Sequence, residues 1–133
     1  MNTRRHIASE KKRTGQCNCA QSVLCTYCDI TGLDEKTSLS IASGFAAGMG
    51  SMEGTCGAIV GAGMVLGMVH GGRAVADMRQ LLAKFQQRNG AIQCRQLKGR
   101  DTGIVLRECH QCVADAWEFL EEIIAENDNY KNI

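Results

Sequence analysis

Eight cysteines in 133 residues are the side chains of this sequence most suited to chemistry. They fall as three local pairs, Cys17/Cys19, Cys25/Cys28 and Cys109/Cys112, with Cys56 and Cys94 standing alone. Thiolate sulfur ligates soft metals and iron–sulfur clusters, and paired thiols cycle with a disulfide. The local sequence narrows these choices. Neither Cys-x-x-Cys is followed by histidine, since Asp29 and Val113 hold those places, so covalent c-type haem attachment is excluded. A zinc ribbon needs two knuckle turns separated by a short loop, whereas Cys25/Cys28 reads as the middle of a helix. Cys25 and Cys28 read as packing thiols. His110, between Cys109 and Cys112, reads as a surface side chain rather than a ligand.

Two cysteines follow residues that start helices. Thr55 is a good N-cap and would put Cys56 in a first helical turn; Asn18 would do the same for Cys19. Unpaired amides and the positive end of the helix dipole stabilise an anion there, so a thiol in that place loses its proton more readily. Two such helix ends are able to face one shared metal or anionic centre. No nucleophile–base signature, Walker-type phosphate loop or paired-carboxylate motif accompanies them.

The segments that must position these thiols are helical by their apolar spacing. From Gly54 to Gly72 no side chain carries a formal charge, and apolar residues recur without a polar face. Such a segment is a buried central helix or a membrane span. A span needs about 20 predominantly apolar residues, and glycines at 54, 57, 61, 63 and 67 dilute this one, so a buried helix is expected and membrane insertion is not. Gly57 and Gly61 stand four apart, as do Gly63 and Gly67, which lets neighbouring backbones come close. Asp34 and Glu35 open a helix with the stripe Leu39, Ala42, Phe45, Ala46 and Met49. Val75, Met78, Leu81, Leu82 and Phe85 mark another, closed near Asn89-Gly90. Asp101-Thr102 offers a cap for the last, whose buried face is Val113, Ala116, Trp117, Leu120, Ile123 and Ile124. The methionines read as core filler. The expected architecture is all-α, a compact bundle of about five helices around the glycine-rich one. It forms one domain over residues 1–133 with a basic, loosely held N-terminal segment over 1–15.

Composition bounds the partners. A net charge of +1 gives no reason to expect nucleic acid as a partner. Met1–Arg13 is basic and polar with no apolar stretch behind it, unlike a signal peptide, so a cytoplasmic location is expected. Persistent disulfides are uncommon there, and cysteine enrichment points to metal or redox work.

Spaced fragments then combine: Asn18-Cys19-Ala20-Gln21-Ser22-Val23-Leu24; Gly44-Phe45 with Gly48-Met49-Gly50; Gly54-Thr55-Cys56-Gly57-Ala58 with Gly61; Cys94-Arg95 with Leu97 and Gly99; and Cys109 with Val113, Asp115 and Ala116. In these the sequence resembles the redox-active family named for its C_GCAxxG_C_C cysteine pattern. The resemblance implies four family cysteines, Cys19, Cys56, Cys94 and Cys109, with Cys17, Cys25, Cys28 and Cys112 outside the set. The four would be metal ligands or, without a metal, redox thiols. Four separated thiolates suit an iron–sulfur cluster used for electron transfer, with zinc less favoured, and pairs of them suit thiol–disulfide exchange. Either use requires a redox partner, which the sequence does not identify. The alternative is a non-catalytic helical interaction module with structural cysteines, packed as a homodimer through the glycine-rich helix.

Overall fold

The glycine-rich stretch folds as one long helix, and the other helices pack around it. The computed structural model describes residues 3–126. In chain order it runs α1 (Thr3–Arg13), α2 (Cys19–Cys25), α3 (Cys28–Thr31) and α4 (Glu35–Ala42). A 3-10 turn (Ser43–Phe45) and a π turn (Gly48–Met52) lead to the central α5 (Gly57–His70). A second 3-10 turn (Gly71–Arg73), α6 (Ala74–Asn89), α7 (Cys94–Leu97) and α8 (Cys109–Glu126) complete the fold. The described residues form no strand, and Thr55 pairs with Gln93 in an isolated antiparallel bridge. The all-α expectation holds.

The core is built on α5. Ala58, Ile59, Ala62, Val65 and Leu66 are buried against Ala20, Val23 and Leu24 of α2 and Val113, Ala116 and Leu120 of α8. Gly61 sets the α2–α5 approach: a Cβ there would stand 2.8 Å from the Ala20 carbonyl oxygen and 3.1 Å from Val23 Cβ. Tyr27 stacks on Trp117, ring centroids 3.5 Å apart and planes 7° from parallel, which adds aromatic packing to two buried rings. Taken as one run, Gly57–Asn89 is long and apolar enough to cross a membrane. It is two helices, however, broken where Gly71 takes φ 54, ψ −113, and the Ala58–Leu66 face of α5 is covered by protein.

Four expectations need correction. The N-terminal segment is not loosely held over residues 3–13: α1 packs on α8, with Ala8 fully buried, Arg5 bonded to Glu118 at 2.7 Å and the Ser9 hydroxyl donating to the His110 carbonyl at 2.8 Å. Cys25 and Cys28 do not share a helix. Cys25 ends α2 and Cys28 begins α3, with the Thr26 hydroxyl bonded back to the Ser22 carbonyl at the break. The last helix begins at Cys109, because Asp101 pairs with Arg95 at 2.7 Å and the Thr102 hydroxyl accepts the Ile104 amide at 3.1 Å, holding both in a turn. Met49 and Val75 lie off their stripes at 57% and 72% exposure. Met49 has a left-handed backbone inside the π turn, which rotates it away from the face that α4 buries.

Candidate redox site

Each of the four cysteines of the family pattern lies at the start of a helix. Cys19, Cys94 and Cys109 are the first residues of α2, α7 and α8, and Cys56 is the N-cap of α5. The local sequence explains each placement. Asn18 and Gln21 close a capping box: the Gln21 amide donates to Asn18 Oδ1 at 2.8 Å and the Asn18 amide to Gln21 Oε1 at 3.0 Å. The same side chains reach across to the Ser43 and Leu39 carbonyls at 3.2 and 3.0 Å, tying the start of α2 to α4 and the turn after it.

Cys56 and Cys94 are joined through the backbone. The Cys56 amide donates to the Ile92 carbonyl at 2.8 Å and the Cys94 amide to the Gly54 carbonyl at 3.0 Å, on either side of the Thr55–Gln93 bridge. Thr55, expected as the helix cap, is held in this bridge, and Cys56 takes the cap position. Arg95 bonds both Glu53 carboxylate oxygens at 3.0 Å and reinforces the junction. The approach to α8, which Cys109 begins, is held by Asp115, which is 3% exposed. That carboxylate accepts from Arg107 just before α8 at 2.9 and 3.0 Å, and from Arg88 and Asn89 of α6 at 3.0 and 3.1 Å.

These four supports bring Cys19, Cys56, Cys94 and Cys109 to the wall of one cavity of about 260 Å³, with Lys12, Asn18, Gly57 and Lys98 also on the wall. Lys12 comes from α1, so the basic N-terminal helix delivers a cation to the site. Cys17, Cys25, Cys28 and Cys112 do not line the cavity. All eight cysteines are free thiols. Among the described residues no three His, Cys, Asp or Glu side chains gather closely enough to hold a single metal ion; the four sulfurs border a space instead.

The site favours one thiolate over the rest. Pairing with the Cys112 thiol lowers the Cys56 pKa below the ordinary thiol value, against burial, with help from the Ala58 and Ile59 amides and from Lys98. No capping hydrogen bond is closed to the Cys56 side chain, so the amides act as aligned dipoles. The same pairing, with burial, pushes Cys112 upward. Burial raises Cys94 against the pull of Lys98, with Cys56 and Cys19 near enough to add repulsion. Away from the cavity, burial pushes Cys25 up to about 12, in keeping with a packing thiol. Cys28 contacts the Ser38 hydroxyl at 3.4 Å.

Sequence reasoning passed over three contributors. Cys112 lies one helical turn from Cys109, and that spacing was the available signal. Lys98 lies four residues after Cys94. Gly48, at φ +58, leaves room for Cys94, whose Cβ would be 2.6 Å from a Cβ at that position; its fit depends on a tertiary approach that no local pattern encodes.

Comparison with known proteins gives the family of the chain. A family model described as "Putative redox-active protein (C_GCAxxG_C_C)" matches residues 17–123. No curated protein and no solved structure matches the chain.

Proposed function

This chain belongs to the C_GCAxxG_C_C family of redox-active proteins, and from that premise we propose that Cys19, Cys56, Cys94 and Cys109 form one thiolate centre that holds an iron–sulfur cluster for electron transfer. The observation that carries this reading is the meeting of four helix-start cysteines on one cavity wall. Four thiolates are the usual donor set of two-iron and four-iron clusters. A zinc ion would draw its sulfurs to about 2.3 Å from one point, a gathering that no three donors make among the described residues. A multi-atom centre suits sulfurs set around a cavity better.

A bound cluster would supply one-electron storage. The chain supplies the rest. The Ala58 and Ile59 amides favour the Cys56 thiolate, and Lys12 and Lys98 offset negative charge at the wall. Ala46, Ala47 and Gly57 make part of the wall apolar, which limits water near the sulfurs and tunes a potential. Anaerobic purification with a visible spectrum and iron and sulfide assays tests the reading. Colour with matched iron and sulfide is expected; a colourless, iron-free protein from iron-replete cells would contradict it.

A dithiol–disulfide cycle is the second reading, favoured by the low value at Cys56. Here Cys56 attacks and a second thiol closes the disulfide. Colourless protein that gains one disulfide reversibly would select it.

A further inference from the structure

The cavity wall carries two ammonium groups, those of Lys12 and Lys98, and no carboxylate. Their basic neighbours are neutralised within the fold. Arg13 pairs with Glu10 at 2.5 Å, and Arg95 pairs with Glu53 at 3.0 Å and with Asp101 at 2.7 Å. Lys12 and Lys98 have no such partner among the described residues. Lys11 borders a separate groove beside Glu10, and Glu108, exposed one residue before Cys109, lies off the wall. Both wall lysines are half-buried, and a lysine so placed buries its stem and keeps its charged end in water. Met49 adds apolar surface near Cys94. It is 57% exposed and follows the wall residue Ala47 by two positions. Its Cγ would stand 3.1 Å from a Cβ on Gly54, whose carbonyl accepts the Cys94 amide.

We propose that Lys12 and Lys98 dock an acidic electron-transfer protein over the cavity, its carboxylates on the two ammonium groups and an apolar side chain on Met49. The inference rests on the electron-transfer reading of the site. In that reading the cavity is filled, so a partner meets the rim rather than the interior. One electron crosses the contact, and no bond forms or breaks. The partner's one-electron cofactor is reduced as the centre is oxidised, or the reverse. Charge complementarity of this kind steers encounter and selects the partner more than it adds affinity. The net charge of the whole chain is only +1, so the pull on an acidic protein is local to the rim. It therefore orients the partner with the thiol centre facing it. Interfaces between redox proteins are small, below about 1,200 Å² in total, and methionine is enriched at the core of such contacts while charge belongs on the rim.

The test uses the full-length chain, purified anaerobically, with a plant-type ferredoxin as the acidic probe and cytochrome c as the basic one. Carbodiimide joins carboxylates to amines in contact, and peptide mapping locates the joined lysines. Cross-links from ferredoxin should concentrate at Lys12 and Lys98 over Lys36 and Lys84. They should fall several-fold between about 0.01 M and 1 M salt, across which the Debye length shrinks from about 30 Å to 3 Å. By titration, the Lys12→Gln/Lys98→Gln double variant should bind ferredoxin several-fold more weakly. Lys12→Arg/Lys98→Arg keeps the charge and should bind like the wild type, and so should Lys84→Gln. Cross-links spread evenly over all four lysines, or ferredoxin bound no better than cytochrome c, would overturn the proposal. So would an affinity unmoved in the glutamine double variant. The wild-type map decides even if a variant misfolds. Iron and sulfide are assayed on the same samples. Iron-free protein that still links through Lys12 and Lys98 counts against the cluster alone. Iron and sulfide present, with no preference for these two lysines, counts against the docking rim alone.

Discussion

Gly57 leaves the space that Cys19 fills: a Cβ on Gly57 would collide with the Cys19 sulfur and stand 2.9 Å from the Phe45 carbonyl oxygen. The first turn of α5 is thus shaped around the first thiol of α2. Gly57→Ala must shift α2 or the Phe45 turn, and such overpacking costs about 1–3 kcal/mol. Gly67 is the control, since it lies inside α5, exposed, with nothing within 4 Å of a Cβ. Gly67→Ala should stabilise by about 0.5–1 kcal/mol. Urea unfolding of the two variants should move the midpoint in opposite directions, and only Gly57→Ala should lose bound iron.

Gly48 does for Cys94 what Gly57 does for Cys19, with a second constraint. Its φ of +58 is a backbone region that side chains disfavour, and its Cβ would meet both Cys94 and the Gly54 carbonyl. Gly48→Ala should therefore destabilise by about 1–3 kcal/mol and expose Cys94, now 4% exposed, to faster alkylation. An unchanged Cys94 rate would show that the π turn yields without moving the thiol.

Cys56 should titrate below the other thiols. Its folded pKa lies under the ordinary thiol value, so thiolate is present above that lowered pKa and lost as pH falls through it. In reduced, iron-free protein, the alkylation rate at Cys56 should inflect below the ordinary thiol range. Cys25, pushed to about 12 by burial, should show no inflection between about pH 6 and 9. Cys112→Ala removes the pairing that contributes most to the shift and should move the Cys56 inflection upward. A wild-type inflection at the ordinary thiol value would contradict the thiol pairing.

Local patterns were sufficient where one residue's chemistry fixes the outcome. Asn18 and Asp34 cap their helices through side-chain bonds to Gln21 and Thr37, and Gly32 and Gly90 stop theirs in left-handed conformations. The buried face of α8 follows from helical spacing alone. The failures share a different cause, which is long-range pairing. Thr55 reads as a cap but is captured by Gln93, 38 positions away in the chain. Cys109 stands one helical turn before buried Val113 but is partly exposed, and Cys112 is the buried one. His70 and Asp77, both buried and 2.6 Å apart, carry no sequence signal that marks them as a pair. The cavity itself arises where four chain segments meet, so only the family resemblance joined its thiols in advance.

Asp115 should be the most costly polar residue to remove. Burial pushes its carboxyl up, but hydrogen bonds from Arg107, Asn89 and Arg88 hold it below the ordinary value. Being depressed, it contributes stability above the unfolded carboxylate pKa, and that contribution is lost as pH falls through the folded value. Asp115→Ala leaves Arg107 and the Asn89 amide without their shared acceptor at the entry to α8 and should cost about 1–3 kcal/mol in denaturant unfolding. Loss below about 1 kcal/mol would place the network among weak surface pairs.

The most direct test of the central claim is iron and acid-labile sulfide per chain, measured anaerobically on single serine variants with helicity checked. Cys19→Ser, Cys56→Ser, Cys94→Ser and Cys109→Ser should each lose most of the iron and sulfide and the visible absorption of the wild type. Cys17→Ser, Cys25→Ser and Cys28→Ser should keep them. Retention in the first group together with loss in the second would mean that the cavity thiols are not the redox centre.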